Sequence, residues 1–404
     1  MTEQTNVVPK RRFKEFQSTQ AWERRKFSEL VSRVSTSNED EGLPRVEFED
    51  IVSGLGQLNK DIFQKESDKK GFEFKPGDTI FGKLRPYLKN WLMPEFKGIA
   101  VGDFWVLRPI DTDSKFIYSL IQSSKYQTVA NLSTGTKMPR SDWGVVSNTE
   151  FEVPFSVEEQ AKIGNFFKQL DDTIAFHQRK LEKMKALKSA YLSEMIPVEG
   201  EREPKRRFAG FTDAWKQRKL GEISDSFEYG LNASATFFDG INKYIRITDI
   251  DDDSRLFNQN VLTSPDVDLS NADSYLVKNG DILFARTGAS VGKTYRYQES
   301  DGKVYYAGFL IRARINQDFN SEFVFQNTLT PRYDNFIKIT SQRSGQPGVN
   351  AQEYASFDLM VPTLEEQQKI GTFFKALDDT ITLHQRKLEK LQNIKKAYLH
   401  EMFV

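Results

Sequence analysis

The chain of 404 residues is long enough for more than one domain with its own core. It contains no Cys, which excludes disulfides, Cys-ligated zinc and thiol catalysis, and no apolar run in it approaches the length of a membrane span. Lys plus Arg equals Asp plus Glu at 57 each. A stand-alone nucleic-acid binder is usually basic, so this neutrality leaves room for local basic surfaces, or for a partner that supplies charge.

Taken in chain order, the opening MTEQTNVVPKRRF has no apolar core, so no secretory signal is expected and the cytoplasm is the expected location. Arg11-Arg12-Phe13, Phe16 and Ala21-Trp22 form a lead-in. Runs rich in β-branched and aromatic residues then predict strands at 46–51, 79–81, 104–107 and 151–153, separated by Gly, Asn, Asp and Ser clusters that read as turns. A short helix is expected near 114–130 and a long one from Val157 to Met195. The lead-in returns as Arg206-Arg207-Phe208, Phe211 and Ala214-Trp215. Strands are predicted again at 244–247, 281–284, 294–297 and 309–315, with a helix near 320–339 and a second long helix from Leu364 to Met402.

The two long segments say the same thing twice. VEEQAKIGNFFKQLDDTIAFHQRKLEKMKALKSAYLSEM and LEEQQKIGTFFKALDDTITLHQRKLEKLQNIKKAYLHEM agree at 27 of 39 positions, at an offset of 207. Ile163, Phe167, Leu170, Ile174, His177, Leu181, Met184, Lys188, Tyr191 and Met195 follow steps of four and three, which is a coiled-coil seam. Ile370, Phe374, Leu377, Ile381, His384, Leu388, Leu391, Lys395, Tyr398 and Met402 repeat it. A helix of this length spans roughly 57 Å and cannot bury its seam alone. The expectation is that the two copies pack on each other, antiparallel, with a pseudo-twofold axis relating the halves. The middles share only landmarks such as Lys75-Pro76-Gly77-Asp78 and Lys278-Asn279-Gly280-Asp281. A common spacer with divergent middles is the arrangement expected when each domain binds a different target.

No catalytic constellation stands out. Gly288-Ala289-Ser290-Val291-Gly292-Lys293-Thr294 approaches a phosphate-binding loop but has three residues between its glycines where four are required, and a predicted strand follows it. It reads better as a Gly-rich turn whose exposed Arg286, Thr287, Ser290 and Lys293 face a ligand. With three His in the chain a His-based triad is improbable; His177 and His384 sit at equivalent seam positions and read as packed residues rather than metal ligands. Asp171-Asp172 and Asp378-Asp379 read as surface charges or partner contacts. Two loops occupy the same place in the repeat, just before each final strand: 133–143, with Thr134, Lys137 and Arg140, and 341–350, with Arg343, Gln346 and Asn350. Their side chains are types that pair with base edges or phosphates. Lys83, Arg85 and Tyr87, placed where the second half has its Gly-rich turn, make a further basic and aromatic surface. Each loop taken alone is a polar turn; their matched positions make them a functional pair.

At these residues the chain resembles the specificity subunit of type I restriction-modification systems. The resemblance covers essentially the whole chain and rests on the two EEQ…KIG…FF…LDDTI…HQRKLEK helices, Arg206 to Glu222, NGDILFARTGASVGKTY, and the GTKMPRSDW and SGQPGVNAQEY loops. It implies an α+β fold with target recognition domains at 1–152 and 198–359 and conserved coiled-coil helices at 153–197 and 360–404. It implies a non-catalytic subunit in which each domain reads one half of a bipartite double-stranded DNA target. The helices would set the spacer and dock two methyltransferase subunits that methylate adenine with S-adenosylmethionine. Motor-nuclease subunits using ATP and Mg would cleave unmethylated DNA, as a phage defence. No cofactor and no membrane is expected for this chain itself. The competing readings are an enzyme, which would need a cofactor-binding strand–turn–helix that is not found, and a coiled-coil adaptor with protein-binding β-rich domains.

Overall fold

The computed structural model describes residues 8–40, 42–64, 68–132 and 137–403. The chain divides into two compact units, Met1–Arg179 with Arg386–Val404, and Lys180–Gln385. Each long helix, Val157–Met195 and Leu364–Met402, therefore gives one part to each unit. Among the described residues no helix is long and apolar enough to cross a membrane.

The two units use one strand plan. In the first, an antiparallel sheet runs in the order Val31–Arg33, Phe104–Pro109, Thr79–Gly82, Trp91–Leu92. In the second the order is Ser224–Tyr229, Leu310–Ile315, Asp281–Ala285, Thr294–Arg296. Each lead-in supplies a strand to the strand that precedes a long helix: Glu23–Lys26 pairs with Glu150–Val153, and Lys216–Lys219 with Asp358–Val361. The shared landmark acids are buried. Asp78 accepts from the Lys75 N–H at 2.9 Å and from Arg108 at 2.7 and 2.9 Å; Asp281 accepts from the Lys278 N–H at 2.8 Å and from Arg314 at 2.8 and 2.9 Å. Each closes a turn into the central strand and neutralises an arginine on its neighbour.

Four expected elements, at 46–51, 244–247, 114–130 and 320–339, are broken in the structure. The segment 46–51 is not one strand: Arg45–Val46 and Ile51–Val52 flank a 3-10 turn at Phe48–Asp50. Asp50 captures the Glu47 N–H at 2.8 Å and bends the chain, and Asp249 does the same to the Arg246 N–H at 2.9 Å after Lys243–Ile245. The helix near 114–130 is two, Ser114–Leu120 and Ser124–Ala130, the second capped by Ser123. The helix near 320–339 is Ser321–Asn327 and Pro331–Thr340, separated where Pro331 cannot continue a hydrogen-bonded turn.

The seam forms as the periodicity predicts, and within each unit the two helix segments run antiparallel. In the first unit Phe166 meets Tyr398 (ring centroids 5.1 Å), Asp171 meets Lys395 (2.5 Å) and Phe167 meets Phe403 (5.8 Å). In the second, Tyr191 meets Phe373 (5.0 Å) and Lys188 meets Asp378 (2.7 Å). At the repeat offset of 207, the pairs Asp171–Lys395 and Asp378–Lys188 are the same contact made twice. Asp171 and Asp378 are thus seam ion pairs and not the surface charges the sequence suggested; burial raises the Asp171 pKa, against the opposing pull of Lys395. Asp172 and Asp379 pair along their own helices with Lys168 and Lys375 at 2.6 and 2.7 Å, and do lie at the surface.

Each lead-in is fastened to a helix start. Arg12 donates to both oxygens of buried Glu159 at 2.6 and 2.7 Å, and Arg207 to both oxygens of Glu366 at 2.7 and 2.8 Å. Gln160 and Gln367 accept the backbone N–H groups of Asp113 and Asn320, the N-caps of the helices Ser114–Leu120 and Ser321–Asn327, at 3.1 and 3.0 Å. Gly164 and Gly371 lie against those caps. A methyl at Gly164 would stand 2.6 Å from the Phe116 backbone nitrogen, and one at Gly371 2.6 Å from Asn320 Oδ1.

Candidate nucleic-acid interface

The two matched loops and the two turns come together within each unit, on the same backbone scaffold. In the first unit the turn leaves Thr79–Gly82; the Gly82 N–H donates to the Asn90 carbonyl at 2.7 Å and the Lys83 N–H to the Asp103 carbonyl at 2.9 Å. The loop closes on it: the Arg85 N–H donates to Pro139 O at 2.7 Å and the Ser141 N–H to Lys83 O at 2.8 Å. In the second unit the turn leaves Asp281–Ala285. There the Ala285 N–H donates to Lys293 O at 2.8 Å, Arg286 N–H to Phe309 O at 3.1 Å, Gly288 N–H to Pro347 O at 3.0 Å and Val349 N–H to Arg286 O at 2.9 Å. Bond for bond these are the same four links. Counting from Asp78 and Asp281, Lys83 corresponds to Arg286, Arg85 to Gly288 and Lys89 to Gly292.

On this scaffold the candidate side chains have different freedom. Thr134 lies outside the described residues. Lys83 stands 3.5 Å and Arg140 3.0 Å from Asp103, whose carboxyl is held below the usual carboxylate range chiefly by the hydrogen bond from Arg140. Arg85, Tyr87 and Lys137 are exposed, and Tyr87 keeps about half its surface (52%). In the second unit the Arg286 guanidinium lies 5.1 Å from the Tyr229 ring centre and 5.9 Å from that of Phe309, and its buried Nε has no hydrogen-bond partner. Thr287 and Ser290 are half-buried.

Arg286, Thr287 and Ser290 are thus less exposed than expected, and two further second-unit candidates depart more. Lys293 is not exposed but 8% accessible; its ammonium donates to Ile250 O at 3.1 Å and pairs closely with the Asp252 carboxylate, so it braces the turn from inside. Asn350 is exposed, yet its side chain is engaged: it accepts the Glu353 N–H at 2.9 Å as N-cap of the helix Ala351–Ala355. Arg343 donates to both Glu353 oxygens at 2.5 and 2.6 Å. Gln346 is exposed beside Gly288. The Gly-rich turn itself contains only a 3-10 turn, Gly288–Ser290, and leads into the strand Thr294–Arg296, so it presents no helix start to a phosphate. Among the described residues no cluster of His, Asp or Glu could hold a metal ion.

Sequence reasoning overlooked Asp103, which occupies two of the candidate cations, and the rings of Tyr229 and Phe309 beside Arg286; Lys89 closes the basic and aromatic segment 81–89 but was not singled out as a site residue. An alignment of the two turns on their shared Gly-Asp would have shown Lys89 facing Gly292.

A type I restriction modification DNA specificity domain model matches residues 36–186 and 212–393. The chain belongs to that family. A curated relative, the type I restriction enzyme MjaVIII specificity subunit of Methanocaldococcus jannaschii, is 19% identical over 334 residues, which is 80% of this chain and 75% of the relative. Among solved structures, the type I restriction-modification S subunit from M. genitalium shares the fold with a TM-score of 0.71 at 14% identity, over 98% of this chain and 99% of that one. The HsdS subunit from Thermoanaerobacter tengcongensis aligns with a TM-score of 0.40 at 19% identity, over 95% and 96% of the two chains. The chain is therefore a DNA specificity subunit of a type I restriction-modification system, a non-catalytic component of its complex.

Proposed function

We propose that each strand-rich domain of this specificity subunit reads one half of a bipartite, asymmetric duplex sequence, and that the paired helices set the unread spacer. The observation that carries the reading is the doubled turn-and-loop scaffold with different side chains on each copy: exposed Arg85, Tyr87, Lys89 and Lys137 in one, half-buried Arg286 and exposed Gln346 in the other. One backbone frame bearing two side-chain sets suits two different half-sites held in one geometry. The same helix contacts, made once within each unit, favour two equivalent docks for two methyltransferase subunits. Those subunits would bind S-adenosylmethionine and methylate adenine. Motor-nuclease subunits, using ATP and Mg, would cleave unmethylated DNA in the cytoplasm as a phage defence. This chain would hold none of these cofactors.

The test exchanges residues 1–152 for the first domain of another family member and maps methylated adenines in a host that also supplies the methyltransferase. One half of the motif should change while the other half and the spacer persist. A change in both halves would sink the modular reading.

A further inference from the structure

The turn of the first unit keeps two cations where its counterpart has glycines. Arg85 and Lys89 have φ of +49° and +57°, and the corresponding Gly288 and Gly292 have +76° and +86°. In this left-handed region a side chain is unfavourable and glycine is not. The turns are held by the same backbone bonds, so glycine would serve the fold at both positions. Among the described residues neither cation is engaged by a side-chain hydrogen bond or ion pair that would offset the strain. Both are exposed, and neither has a carboxylate partner among the described residues, while neighbouring Lys83 and Arg140 share Asp103. They bracket the short 3-10 turn Pro86–Leu88, on which Tyr87 stands half exposed, and Lys137 lies on the loop bonded to that turn. Strain held without an internal reward is the mark of a residue kept for a ligand.

We propose that Arg85 and Lys89 grip the phosphate backbone of the half-site read by the first domain. Two unpaired cations at the two ends of one rigid turn suit neighbouring phosphate oxygens, and Lys in particular acts there as a compact point charge. The second domain, with glycines at both places, has no such grip on its turn. The inference rests on the DNA-reading function proposed above and names residues for it.

The test uses the full chain in complex with its methyltransferase, a duplex carrying the mapped target, and the variants Arg85→Gly, Lys89→Gly and the double variant. Melting of the double variant should match or exceed that of the parent, because glycine relieves both left-handed positions. Its binding should weaken, and the slope of log affinity against log salt should become shallower by about 1.8, at about 0.9 per lost phosphate contact. The methylated motif should keep its sequence in both halves. A lower melting temperature with unchanged binding and slope would make the two cations structural and overturn the proposal. A changed base preference in the first half-site would also overturn it, by making them base readers. The domain exchange separates this failure from that of the underlying reading: if it still redirects one half-site, only the assignment of Arg85 and Lys89 falls.

Discussion

The helix junction and the turn after the central strand are both built twice in this chain, but by different means. At the junction the side chains themselves repeat: Arg12 on Glu159 and Arg207 on Glu366, Gln160 and Gln367 on a helix cap, Gly164 and Gly371 against it, Asp171 on Lys395 and Asp378 on Lys188. At the turn only the backbone bonds repeat, while Lys83, Arg85 and Lys89 give way to Arg286, Gly288 and Gly292. A contact made by side chains ties the sequence down, because both partners must be kept. A contact made by N–H and C=O leaves every side chain above it free to change. The region whose residues repeat between the units is thus held by side chains, and the region whose residues differ is held by main chain.

The comparison can be broken first at the junction. Glu159→Ala leaves the buried Arg12 guanidinium without its carboxylate and should cost about 3–5 kcal/mol, read as a fall in the denaturant midpoint; Glu366→Ala should cost less, because Arg207 is only partly buried. A loss under about 1 kcal/mol would mean that the pair behaves as a surface pair and that the junction is not specified by these side chains. Next, Gly164→Ala and Gly371→Ala set helix propensity against space. Propensity alone favours Ala by about 1 kcal/mol, whereas overpacking costs about 1–3 kcal/mol. A methyl 2.6 Å from backbone or a capping oxygen should let overpacking win, so both variants should melt lower; a rise would show that the helix can shift away.

At the turn, side-chain changes should alter binding more than stability. Arg286→Ala removes a half-buried side chain lying over two rings, so it should cost about 1 kcal/mol of stability while altering methylation only in the half-site of the second domain. Loss of methylation at every site, with normal folding, would contradict the assignment of Arg286 to one half-site. The smallest effect is expected at Asp103→Asn, which releases Lys83 and Arg140. The folded pKa of Asp103 is depressed, so its stabilisation is present above the unfolded value of about 3.9 and is lost as pH falls through the folded value. The parent should therefore exceed the variant in stability at neutral pH, and the gap should close in acid. The two freed cations should steepen the salt dependence of DNA binding, which fluorescence titration of the complex would show.

Much of this was legible in the sequence. The seam residues from Ile163 to Met195 and from Ile370 to Met402 declare themselves by period, and the correspondence of the two loops follows from their place in the repeat. Lys293 was misread because a lysine in a Gly-rich turn looks exposed. Its burial depends on Asp252 and the Ile250 carbonyl, about forty residues away in the chain. Asp171 and Asp378 were misread for the same reason: their partners lie on the other helix, and helix periodicity does not say what stands opposite.

The sequence by itself determined the duplication, the two long helices, the strand-rich middles and the family, because repetition and hydrophobic period are local properties of a string. Only the tertiary structure decided which cations are already engaged by the protein and which are exposed with no carboxylate partner among the described residues, and that Arg85 and Lys89 stand where the backbone asks for glycine. Ion pairing and backbone dihedrals depend on what distant segments bring alongside, and no spacing along the chain encodes that.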